Sequence, residues 1–153
     1  MESPCPSCGV IVEGGAEGCQ ELFEHLGVRT FKNFAFARFH RMAVDAYSLQ
    51  HPDRYCASAK SLMAHLGGLC CAFDHNNDPA AHSALQRSLN GTVSLTKPEL
   101  PHKRGALTIA HALSSENPDH YEKNVKEWAQ AAWDAYSPLH PYARSWITRA
   151  LHS

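Results

Sequence analysis

Two cysteines three positions apart, Cys5 and Cys8, followed directly by Gly9, are the sharpest chemical signal in the chain. Thiolates at that spacing can reach one tetrahedral ion, and the glycine permits the turn that aims backbone amides at sulfur; zinc knuckles use this half-site. Cys-x-x-Cys also serves thiol–disulfide chemistry. A thioredoxin-like pair, however, opens a helix after a strand, and no such context surrounds Cys5. A closed tetrahedral site needs two more ligands. Cys19, eleven residues beyond Cys8, is the nearest third, and a histidine must supply the fourth. His25 is close in sequence, but a surface position on a first helix explains it equally well.

The chain has eleven histidines to choose from. His40, Val44, Tyr47 and His51 recur at i, i+4, i+7 and i+11, which puts them on one helical stripe. Asp45 and Gln50 lie outside the stripe, near the same end. The turn at Pro52-Asp53 folds the next helix back, so that its His65 approaches His51. Neutral imidazoles ligate zinc or iron, and Asp45 can serve as a ligand or as the group that orients one. The plain alternatives are core histidines satisfied by one hydrogen bond, and an Asp45 paired with Arg41 one turn earlier. His140, between Pro138 and Pro141, is a further candidate. Cys70-Cys71 reads as a pair of small buried residues, since neighbouring cysteines on a helix point to different faces. The expected metal ligands are Cys5, Cys8, Cys19, His51 and His65, with zinc as the ion and Asp45 and Tyr47 as candidate catalytic groups.

Helices must position these groups. Residues 1–17 are rich in turn formers (Pro4, Pro6, Gly9, Gly14, Gly15) and read as a knuckle. A first helix is predicted from Glu17 to Leu26, ending at Gly27. A second runs from Asn33 to Gln50, stopped by Pro52, with Phe36, Phe39, Ala43 and Ala46 on its apolar face. Further helices are predicted over 57–74, 78–89, 109–113, 117–136 and 142–151, two of them opened by a capping residue before proline, Asp78-Pro79 and Asn117-Pro118. Gly67-Gly68 either weakens the third helix or admits a neighbouring backbone. No strand pair is predicted. The expected fold is all-α, an irregular bundle of about six helices in one domain over 1–153, with the knuckle packed onto it.

Composition bounds the function. The chain has 153 residues, 44% hydrophobic and 19% charged, which suits one folded domain. A formal charge of -1 provides no field toward nucleic acid. Arg38 and Arg41 share a helical face and read as solvated charges. No apolar run is long enough for a membrane span, and Met1 to Cys5 lacks the basic and apolar regions of a signal peptide. The expected compartment is the cytoplasm, where thiols stay reduced and close cysteine pairs favour metal over disulfide.

The block Val44-Asp45-Ala46-Tyr47 to Leu49-Gln50-His51-Pro52 resembles DUF5946, a bacterial family of uncharacterised proteins. Cys5-Pro6-Ser7-Cys8-Gly9, Gly18-Cys19, Ser58-Ala59-Lys60-Ser61, His65-Leu66, Leu69-Cys70, Thr108-Ile109 and Trp128 through His140 fit its pattern too. Gln20 departs from it, standing where the family carries an aromatic residue. The resemblance implies residues of interest (Cys5, Cys8, Cys19, His40, Asp45, Tyr47, Gln50, His51, His65 and His140) and no activity.

Three functions compete. A zinc ion bound by Cys5, Cys8, Cys19 and His51 would be structural, in a module that binds a small molecule or a protein. A hydrolase or transferase would hold its metal with three protein ligands and water, using His51, His65, Asp45 and Tyr47. A redox sensor would use Cys5 and Cys8 with Cys19 resolving.

Overall fold

A computed structural model describes residues 1–92 and 94–153. Nine α-helices and one strand pair occur among the described residues. The N-terminal knuckle is a hairpin, which the sequence pattern does not announce. Strand β1 (Glu2–Pro4) runs antiparallel to β2 (Ile11–Glu13), with Ser3 opposite Val12. Three-residue strands are too short to show alternation. Their loop sets the pairing instead: Cys5 N–H donates to the Val10 carbonyl at 2.8 Å, and Gly9 N–H to the Cys5 carbonyl at 2.8 Å. Gly9 stands at φ 85°, where a side chain would be strained.

Helix α1 (Ala16–Lys32) continues past Gly27, beyond its expected end. Tertiary contact accounts for the extra turn, because Arg29 donates to the Ser115 carbonyl at 2.7 Å and lies over the Phe36 ring. The expected second helix is two, α2 (Phe34–Ala37) and α3 (His40–Gln50). The break at Arg38-Phe39 lets Phe36 meet Tyr121 edge-on, with centroids 5.0 Å apart, while Phe39 also buries. A single turn, α4 (Pro52–Tyr55), follows His51. Then come α5 (Ala59–Asp74), α6 (Pro79–Asn90), α7 (Ile109–Leu113), α8 (Pro118–Ala135) and α9 (His140–Leu151). Ser58, Asp78, Thr108 and Asn117 cap α5 to α8 in turn, each side chain accepting a backbone N–H. The all-α irregular bundle expected from the sequence is present, with the hairpin appended. Among the described residues no helix is long and apolar enough to cross a membrane.

Helix α3 packs against both α5 and α8, and α9 closes over α5 and α6. Gly68 sets the α3–α5 approach: an added Cβ would lie 2.1 Å from Asp45 Oδ2. On the α8 side the buried amide of Gln50 acts as a hub. Its Nε2 donates to the Arg104 and Leu107 carbonyls at 2.9 and 2.7 Å, and its Oε1 accepts from Trp128 Nε1 at 2.9 Å. One side chain thus ties α3 to α8 and to the loop before α7. Gln50→Ala would leave a buried indole N–H and two carbonyls without partners. The expected cost is about 3 kcal/mol of unfolding free energy, measured by urea denaturation.

Candidate metal centre

The last two turns of α3 and the start of α1 build the centre. Gly14 and Gly15, at φ 85° and 57°, turn the chain from β2 into α1. Gly18 then lies against β2 so closely that an added Cβ would sit 1.9 Å from the Glu13 carbonyl oxygen. That contact carries the neighbouring Cys19 to the Cys5–Cys8 loop. From the other side, His51 ends α3 with φ -130° and ψ 56°, just ahead of Pro52.

Four ligand atoms meet there. The sulfurs of Cys5, Cys8 and Cys19 and a ring nitrogen of His51 all lie within 4.8 Å of one another. Cys8 Sγ is 3.7 Å from Cys19 Sγ, and His51 Nε2 is 3.6 Å from Cys5 Sγ and 3.3 Å from Cys19 Sγ. A tetrahedron with ligands about 2.3 Å from its centre has edges of about 3.8 Å. The group is therefore sized for a metal ion. Cys5, Cys19 and His51 are buried, and Cys8 is half-buried.

His51 is presented in one tautomer. Its Nδ1 lies 2.8 Å from the Tyr47 carbonyl oxygen. A carbonyl only accepts, so Nδ1 carries the proton and the Nε2 lone pair faces the three sulfurs. Aromatic rings hold the imidazole in place. Tyr47 stacks on it at 3.9 Å and on Phe23 at 4.0 Å, and Tyr55 closes edge-on to both Phe23 and Tyr47. Phe23 falls one helical turn after Cys19, which is the signal that could have placed it here. Gln20, the departure from the family pattern, accepts a hydrogen bond from Tyr55 at 3.2 Å.

The electrostatics centre on Cys19. Its thiol is brought down to about 4 by the hydrogen bond from Cys8; burial opposes this, and His51 and the Tyr47 hydroxyl at 3.3 Å reinforce it. Cys8 is pushed up by that same hydrogen bond and by burial, although the Val10 backbone N–H donates to it. Tyr47 is held up by burial and by donating to Cys19. Burial alone would lower His51, but Cys19, the Tyr47 carbonyl and Cys5 together raise it. Of the two coupled thiols, Cys19 is therefore the more acidic.

The other candidates are elsewhere. His65 meets Asp45, with Nδ1 2.9 Å from Oδ1. Asp45 is two residues from Tyr47 on α3 and so faces nearly the opposite way. His40 stands at the first turn of α3, about 16 Å along the axis from His51. His140 stacks on Trp133 at 3.7 Å and bonds its carbonyl at 2.8 Å. His25 is exposed. Cys70 and Cys71 are buried, and burial raises their thiols to about 12 and about 11. Cys56 is buried and donates to the Ser48 carbonyl.

The family model described as a family of unknown function, DUF5946, matches residues 3–137, a span that includes all four clustered residues. No curated protein and no solved structure matches the chain.

The lowered Cys19 thiol gives a pH signature. Its folded value lies below the ordinary thiol value of 9.0, so its stabilisation is complete above pH 9.0 and is lost as pH falls through about 4. Tyr47→Phe removes one donor and should move the thiolate midpoint upward. Ultraviolet thiolate absorbance of metal-free protein across a pH titration checks this.

Proposed function

Because the chain belongs to the DUF5946 family, whose function is unknown, we propose from the site itself that this is a zinc protein whose ion is structural. The observation that carries the reading is the closed set of Cys5, Cys8, Cys19 and His51 at tetrahedral spacing. Three thiolates and an imidazole are a donor set that suits zinc. Four protein ligands leave no position for water, which disfavours metal-assisted hydrolysis. The ion would join the hairpin to α1 and to the end of α3. The hairpin buries little apolar surface of its own, chiefly Cys5 and Val10. A metal crosslink supplies the stability that so small an arm lacks. Residues 1–153 then act as one helical domain that presents its surfaces to a partner molecule.

Protein purified without a polyhistidine tag should contain about one zinc per chain. The Cys5→Ser/Cys8→Ser double variant should lose it, become protease-sensitive in residues 1–15 and keep most of its helicity. Zinc retained in the double variant would move the site away from the hairpin. A metal-free chain carrying a Cys8–Cys19 disulfide would overturn the proposal in favour of a redox sensor.

A second variant tests the support rather than the ligands. Gly18→Ala must push β2 off α1 and draw Cys19 away from the loop cysteines. It should weaken zinc retention about tenfold against a chelator, as the loss of a ligand-orienting contact does.

A further inference from the structure

A second polar constellation lies on the face of α3 turned away from the cysteines. A cavity of about 360 Å³ opens where α3, α5 and α6 meet. That volume suits a small metabolite. Asp45, Arg41, Arg38, Asn77 and His82 line it, with Phe39, Met42, Ala72 and Pro79 forming an apolar wall. The metal centre uses none of these groups.

Two buried polar atoms bordering the cavity have no hydrogen-bond partner, Asp45 Oδ2 and His82 Nδ1. Such atoms are rare, because each costs about 1–3 kcal/mol when left unsatisfied. Asp45 is only 4% exposed. It is held by His65 on Oδ1 at 2.9 Å, and its Oδ2 sits in the notch left by the missing side chain of Gly68. His82 Nε2 lies 2.7 Å from Asn77 Oδ1. An amide oxygen accepts, so Nε2 carries the proton and Nδ1 is left as an acceptor. Burial raises Asp45, while His65 and Arg41 favour its ionised form; in that form Oδ2, like His82 Nδ1, calls for a donor.

The rim has the opposite character. Arg38 and Arg41 are exposed, and neither is ion-paired among the described residues. Guanidinium groups in that situation are suited to an oxyanion. The cavity thus offers two acceptors inside, two cations at the mouth and an apolar wall between α3 and α6.

We propose that this cavity binds a small amino-acid-like zwitterion. Its ammonium group donates to Asp45 Oδ2 and His82 Nδ1, its carboxylate meets Arg41 and Arg38, and its apolar side chain lies on Phe39, Met42 and Pro79. The site stands independently of the zinc reading, since it shares no residue with the cysteine cluster.

Calorimetry and nuclear magnetic resonance on the full chain test it, with L-leucine, L-methionine and L-phenylalanine as probes. At least one should bind saturably and shift the His82 ring signals while leaving those of exposed His25 unmoved. Isocaproate, which lacks the amino group, and isopentylamine, which lacks the carboxylate, should each bind about tenfold more weakly than leucine, the loss of one charge-assisted contact. Asp45→Asn should weaken amino-acid binding by a similar factor. Arg41→Gln alters an exposed side chain and should do the same without changing the circular dichroism spectrum, which covers the case in which Asp45→Asn fails to fold. Absence of saturable binding by all three probes overturns the proposal. So does isocaproate binding as tightly as leucine, or binding unaffected by Arg41→Gln.

Discussion

The hydrogen bond from His51 Nδ1 to the Tyr47 carbonyl, 2.8 Å long, is the constraint on which the cysteine cluster depends. It connects two residues one helical turn apart at the end of α3. There the backbone carbonyls of the last turn have no intrahelical partner of their own. The bond satisfies one of those carbonyls, chooses the tautomer of the imidazole and turns Nε2 toward three sulfurs that come from two other segments. Pro52 prevents α3 from continuing, so His51 is free to leave helical geometry and make this contact. Without it the ring could present a proton to the cysteines in place of a lone pair.

Helix α3 distributes different tasks around its circumference. Tyr47 and His51 face the hairpin and α1, Gln50 faces α8, and Asp45 faces α5. Each polar side chain is buried, and each arrangement is reached through a specific accommodation by the neighbour. Gly18 lets α1 meet β2, Gly68 makes room for the Asp45 carboxylate, and the backbone before α7 supplies carbonyls to Gln50. Buried polar groups of this kind fix a unique geometry, because any shift of a helix leaves donors or acceptors unmatched. The helix can therefore serve two chemically distinct regions at once, a cysteine-rich centre on one side and the cavity bordered by Asp45 on the other.

The aromatic surround has a further consequence for the centre. Phe23, Tyr47 and Tyr55 shield the His51 side of the cluster, while the half-buried Cys8 stands nearest to solvent. Low local polarity strengthens the interactions among thiolate, imidazole and phenol and makes an unpaired charge costly. Tyr47 contributes both through its ring, stacked on the imidazole, and through its hydroxyl, directed at sulfur.

Local chemistry sufficed for some of this. The Cys5–Cys8 spacing with Gly9, the side-chain caps at Asp78, Thr108 and Asn117, and the stop at Pro52 are all encoded within a few residues, so the knuckle and most helices were legible from the sequence. The true end of α1 at Lys32 and the break between α2 and α3 were not, because Arg29 and Phe36 override local preference through partners more than eighty residues away. Periodicity placed His40, Tyr47 and His51 on one stripe, but a stripe is a line along a helix and a metal site is a point. Which histidine joins the cysteines depends on the docking of α1 and the hairpin against the end of α3, across separations of 46 and 32 residues. The same holds for His82: spacing brings Arg41 and Asp45 within one helical turn of each other, but only the packing of α3 on α5 and α6 places His82 beside them around one cavity. Residue type and short-range spacing determined what chemistry the chain can perform; long-range packing decided which groups perform it together.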